Sequence, residues 1–126
     1  MGEFIQERCC MSRMSLIGGD LILQDRVLEQ GCLQIVDSLI AEIQASPKSL
    51  EDTQIVDLSN KYVCPGFVDL HVHGGLGADF MDGTCAAVRT ACRAHLAHGT
   101  TTIFPTTSTG SPEQIMAMLN AVSEQV

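Results

Sequence analysis

Short runs of alternating apolar and polar residues fill the first half of the chain, and a longer period takes over after Pro65. Before Pro65, β-type runs occur at 14–17, 21–23, 32–36, 39–43 and 54–58. Turn-forming sequences separate them: Gly18-Gly19-Asp20, Glu29-Gln30-Gly31 and Ala45-Ser46-Pro47-Lys48. Strands this closely spaced predict a small antiparallel sheet, or half of a sandwich. Residues 1–13 fit no strand pattern and read as a disordered leader, which places the small β region at 14–63.

From residue 64 to 126 the rhythm is strand, helix, strand, helix. Residues 66–73 read as a strand, and 84–98 as a helix with Gly99 placed to close it. Thr100 to Phe104 is rich in β-branched residues and reads as a second strand. Ser111-Pro112-Glu113-Gln114 then supplies an N-cap serine, a proline at the first helical position and a capping-box glutamine. Ile115, Met118, Leu119 and Val122 follow as one apolar stripe. Val88, Ala91, Cys92 and Leu96 are the corresponding sheet-facing set of the first helix. The βαβα order is the opening of a parallel α/β fold. Two such units are too few for a stable parallel sheet, since a (β/α)₈ barrel takes about 250 residues. The expectation is therefore an incomplete domain: the first two βα units of a (β/α)₈ barrel, preceded by part of a small β-sandwich.

Composition narrows the function. Seven Lys plus Arg against fifteen Asp plus Glu give a net charge of −8, which argues against a nucleic-acid backbone as partner. Hydrophobic residues at 45% and charged ones at 17% argue against a disordered chain. No apolar run reaches the roughly 18 residues of a membrane span, and a cytoplasmic protein is expected. Cys9, Cys10, Cys32, Cys64, Cys85 and Cys92 show no CxxC spacing and read as free thiols rather than disulfides or a zinc site.

The chemistry concentrates in Pro65-Gly66-Phe67-Val68-Asp69-Leu70-His71-Val72-His73-Gly74-Gly75. Alternate residues of a strand share a face, so Asp69, His71 and His73 point one way. Val68, Leu70 and Val72 give the opposite face, for helices to cover. Imidazoles two residues apart on a strand can bind one metal ion, and Asp69 can orient a histidine from behind. The pair lies at the C-terminal end of the first strand of a βα series, where barrel active sites are built.

Four other groups carry bland readings. Gly74, Gly75 and Gly77 suit a tight strand-to-helix connection better than a binding loop, and Thr106-Thr107-Ser108-Thr109-Gly110 reads as a loop leading to the Ser111 cap. His95 and His98 lie on a helix, away from any strand-end site. Arg89 and Arg93 read as a solvated face.

The segment VCPGFVDLHVHGG resembles the first barrel strand of the amidohydrolase superfamily of metal-dependent hydrolases. GGLGADFMDGT and HGTTTIFPTTST make it similar, more specifically, to the N-acetylglucosamine-6-phosphate deacetylase family. The resemblance runs from Met14 to Val126, and implies the first third of a complete enzyme. It implies that His71 and His73 are metal ligands for a divalent ion (Zn, Fe, Mn or Co). The complete enzyme would act on a small amino-sugar phosphate as a homodimer, deacetylating N-acetylglucosamine 6-phosphate to glucosamine 6-phosphate and acetate. The family's remaining ligands and its catalytic aspartate come from later strands, so no catalytic residue is assigned here, and the chain alone is expected to be inactive. Glu113 and Glu124, on or beside the second helix, are poor substitutes. Two alternatives stand beside this. One is a cyclic-amide hydrolase of the dihydroorotase or hydantoinase kind. The other is a non-catalytic short product that binds a partner, marked by exposed apolar surface on both helices.

Overall fold

The computed structural model describes residues 12–46 and 51–126. They divide into two units between Pro65 and Gly66. Of the expected leader, residues 1–11 lie outside the described residues, as does the Pro47-Lys48 part of one expected turn.

In the first unit, β1 (Arg13–Ile22), β2 (Val27–Val36) and β3 (Leu39–Gln44) form an antiparallel meander. β4 (Gln54–Asp57) and β5 (Tyr62–Val63) both pair with β1 in the parallel sense, so the sheet is mixed rather than antiparallel. Two expected turns are also absent. Gly18-Gly19-Asp20 lies inside β1, and Glu29-Gln30-Gly31 lies inside β2, with Gly19 opposite Gly31. The register shifts on both sides of Gly19, and Gly18 takes φ 76°, so these glycines make a bulge. The Asp20 carboxylate secures it by accepting from the Gln30 N–H at 3.0 Å. On the other side of β1 the bulge falls at the break between β4 and β5. There Leu58 N–H donates to the Ile17 carbonyl and Asp20 N–H to the Lys61 carbonyl. A Cβ on Gly19 would stand 3.2 Å from both the Leu58 and Lys61 carbonyl oxygens, and that close approach is why glycine sits there. Leu21, Cys32 and Leu33 are buried, and the buried Ser15 hydroxyl meets Thr53 Oγ1 at 3.3 Å.

In the second unit, β6 (Phe67–Val72) pairs in parallel with β9 (Thr100–Pro105). Between them come β7 (Gly74–Gly75), β8 (Ala78–Asp79), a 3₁₀ turn (Phe80–Asp82) and α1 (Cys85–Leu96), while α2 (Pro112–Ser123) follows β9. Thr84 caps α1 by accepting from the Ala87 N–H. Gly99, at φ 88°, lies two residues beyond the Ala97 cap and turns the chain into β9. The Ser111–Gln114 capping box of α2 forms as its sequence predicts. Ser111→Ala is expected to cost about 1 kcal/mol, read as a lower denaturation midpoint; an unchanged midpoint would show that the cap contributes nothing.

The core of this unit is Val72, Phe80, Val88, Ala91, Met118 and Ala121. Two stripe assignments are corrected by it. Leu96 is 60% and Leu119 47% exposed, whereas Ala87 and Ala121 are buried. Each helix has rolled toward its small residues, because alanine lets the backbones approach closely enough to pack on Phe80 and Val72. Of the apolar face of β6 only Val72 is buried, and Val68 and Leu70 stay exposed. The two helices are also tied at their ends: the Cys85 thiol donates to Glu124 Oε2 at 3.0 Å and Arg89 to the Gln125 side-chain carbonyl. Accepting from the thiol favours its protonated form, so the carboxylate of Glu124 pushes the Cys85 pKa up. Cys32, Cys64, Cys85 and Cys92 are all free thiols. Among the described residues no helix is long and apolar enough to cross a membrane.

Candidate metal centre

His71 lies on β6 and His73 immediately follows it, and the strand period brings them to the same face. Their Nε2 atoms converge to 3.0 Å, with ring centroids 4.9 Å apart and planes at 74°. Imidazole nitrogens bind divalent zinc at about 2.0–2.1 Å, so two nitrogens this close can reach a common ion. Both rings are solvent-accessible.

His73 is held from behind. Its Nδ1 lies 3.1 Å from the main-chain oxygen of Thr106, the residue that follows β9. A carbonyl only accepts, so Nδ1 is the donor of this bond and the ring is turned with Nε2 toward His71. The same Thr106 donates its N–H to the Val72 carbonyl at 2.7 Å, so one residue closes the end of the parallel pair on two successive positions. The Thr106 hydroxyl turns away from the pair and donates to the Phe104 carbonyl at 3.1 Å. The acting group is a main-chain oxygen, which no side-chain pattern announces.

Asp69 shares the face but not the expected role. Its Oδ1 accepts from the main-chain N–H of His71 at 3.1 Å, so it stiffens the strand and does not orient an imidazole. His95 is also structural. Its Nε2 donates to the Gly74 carbonyl at 2.9 Å, fastening α1 to the chain just beyond the histidine pair. The glycines serve that connection. A Cβ on Gly74 would overlap the Ala78 carbonyl, and one on Gly75 would lie 2.9 Å from the Ala94 Cβ. Leu76 (φ 50°) and Gly77 (φ 78°) form the tip of the β7–β8 hairpin, where both central residues are left-handed. Phe80 N–H then returns to the His73 carbonyl at 2.8 Å, so His73 is braced through its ring and its backbone.

Among the described residues no third His, Cys, Asp or Glu joins the pair. The two imidazoles fit a divalent cation as two of its ligands.

The sequence profile of the Amidohydrolase family matches residues 62–126, which contain the whole histidine-bearing unit. The chain belongs to the amidohydrolase family. Among relatives of this amidohydrolase, N-acetylgalactosamine-6-phosphate deacetylase of Escherichia coli O157:H7 is 29% identical over 105 residues. That alignment covers 83% of this chain and 26% of the relative. N-acetylglucosamine-6-phosphate deacetylase of Bacillus subtilis is 29% identical over 103 residues, 80% of this chain and 26% of the relative. The aligned segments make up about a quarter of the length of these curated relatives. Among solved structures, N-acetyl-D-glucosamine-6-phosphate deacetylase from Mycobacterium smegmatis superposes with a TM-score of 0.75 at 28% identity. It covers 89% of this chain and 31% of its own. The Pasteurella multocida enzyme of the same name gives 0.81 at 23% identity, over 89% of this chain and 30% of its own, a likeness of fold. The amidohydrolase chain therefore has an α/β fold whose sheets are similar to those of deacetylase structures.

Proposed function

We propose that this chain supplies the first two βα units of a (β/α)₈ barrel (64–126), with part of a β-sandwich before it (14–63), to a metal-dependent deacetylase. The enzyme would hydrolyse N-acetylglucosamine 6-phosphate to glucosamine 6-phosphate and acetate, acting in the cytoplasm as a homodimer. The observation that carries the reading is the convergence of His71 and His73 Nε2 at 3.0 Å beside the C-terminal end of a parallel strand. The deacetylase names of the relatives that align over most of the chain supply the substrate class.

His71 and His73 would hold the ion (Zn, Fe, Mn or Co) through their Nε2 atoms. When bound, such an ion is a Lewis acid toward an amide carbonyl and lowers the pKa of bound water. This chain's own contribution is positioning. The Thr106 carbonyl sets the His73 ring, Asp69 fixes the main chain at His71, and Gly74 and Gly75 carry the backbone off the strand end without side chains in front of the pair.

A substrate panel on the natural gene product that carries these residues tests the reading. Acetate release from N-acetylglucosamine 6-phosphate is expected, with N-acetylgalactosamine 6-phosphate as the second substrate to assay, given the Escherichia coli relative. Hydrolysis of cyclic amides with none of the sugar phosphates would overturn it. The 126-residue chain alone is expected to show no turnover, because two imidazoles are all the metal ligands its described residues bring together. Turnover by that chain, abolished in His71→Ala, would contradict this.

A further inference from the structure

Phe104, on β9, is left outside the core of its unit and is 53% exposed. Its neighbour Ile103 packs against that core, as Val72 does from β6. Side chains alternate along a strand, so Phe104 lies on the opposite face of the strand pair, the face of His71 and His73. The register fixes its height on that face. Asp69 is opposite Ile103 and Val72 opposite Pro105, so Leu70 and His71 together face Phe104 alone. β6 therefore carries one extra residue where His71 stands, and Phe104 is the residue across from it. Neighbouring strands lie about 4.8 Å apart, so the phenyl ring and the imidazole rise from the sheet side by side.

We infer that Phe104 is a specificity-determining residue: it walls the site on the β9 side and receives the acyl methyl of the substrate amide. The inference rests on the reading of the chain as part of a metal-dependent deacetylase. An amide carbonyl carbon carries two substituents, here the methyl and the nitrogen that bears the sugar. Both lie one bond from the atom at which the reaction occurs. The sugar side is polar, with hydroxyls and a phosphate, and the acetyl methyl is the only wholly apolar substituent of N-acetylglucosamine 6-phosphate. A phenyl ring offers polar groups no hydrogen bond, so the wall beside the histidine pair matches the methyl and no other part of this substrate. The same wall limits the length of the acyl chain. An apolar pocket separates substrates that differ by one methylene by about 10–200-fold.

The test uses the zinc-loaded natural gene product with the N-acetyl, N-propionyl and N-butyryl derivatives of glucosamine 6-phosphate. The wild type is expected to prefer the acetyl derivative, and Phe104→Ala to shrink the acetyl-to-butyryl ratio of kcat/KM by about 10-fold or more. Phe104→Leu keeps an apolar side chain of shorter reach, so it disturbs folding less, and its ratio should fall between the two. Binding gives a second readout that needs no turnover. Acetohydroxamate and butyrohydroxamate both chelate divalent ions, and calorimetry measures their dissociation constants. The preference for the shorter hydroxamate should weaken in the same order of variants. Leu76→Ala, which removes an exposed leucine from the hairpin tip, should leave both ratios unchanged. Ratios that survive both Phe104 substitutions overturn the inference and leave the deacetylase reading standing. A wild type that hydrolyses none of the three amides overturns the deacetylase reading, and the hydroxamate ratios then decide alone whether Phe104 lines the acyl site. Absence of hydroxamate binding overturns the metal reading and the inference together.

Discussion

His73→Ala is expected to lower the affinity of the natural gene product for a divalent cation by about 100-fold or more. Losing a group that merely supports a metal ligand costs about 10–100-fold, and in the proposed role His73 is itself a ligand. The substitution also strands two polar groups, the Thr106 carbonyl and His71 Nε2, which lose their partner together. His71 would then stand on an exposed strand end with nothing to define its ring. A competition titration against a chromogenic chelator reads the change. His98→Ala, at an exposed position past the end of α1, is the matched control and should leave affinity unchanged. Equal affinities for the wild type and His73→Ala would remove His73 from the metal centre. The proposed deacetylation should fall at least as far in the same variant.

Phe80→Ala should produce the largest loss of stability, about 3–5 kcal/mol. Phe80 is fully buried and lies on the 3₁₀ turn between the hairpin and α1, against a core that includes Val72 and Met118. Removing the ring takes away its transfer free energy and leaves a space that the surrounding strand and helices refill only in part. Domains of ordinary stability have about 5–15 kcal/mol in hand, so the loss is a large fraction of the whole. The effect also reaches the histidines, because Val72 stands between them in sequence and packs on this core. Urea denaturation of Phe80→Ala beside Leu119→Ala decides the point. Leu119 is nearly half exposed, and its replacement should cost less than about 1 kcal/mol. A larger loss from Leu119→Ala than from Phe80→Ala would restore the stripe expected from periodicity alone.

That contrast shows where the sequence was informative. The βαβα order, the capping box at Ser111 and the shared face of His71 and His73 were legible, because each depends on residues within a few positions of one another. Leu96 and Leu119 were misplaced because periodicity finds an apolar stripe but not its centre. The centre depends on where alanines allow a partner to approach. Gly18-Gly19 and Gly31 were read as turns because glycine marks a turn and a bulge alike, and only their pairing across two strands separates the cases. Asp69 was correctly placed on the face of the histidines, yet its carboxylate found a nearer donor in the His71 main chain. Thr106 was legible as a loop residue, and its decisive atom is one that every residue possesses.

The bond from His73 to Thr106 joins positions 33 residues apart in sequence. During synthesis at about 5–20 residues per second, the histidine is therefore made some two to seven seconds before the carbonyl that fixes it. Until α1 has folded and β9 has come back to lie beside β6, His73 is an ordinary imidazole free to hold its proton on either nitrogen. The geometry of the histidine pair is thus a late product of folding, acquired when the crossover closes rather than when its strand is made.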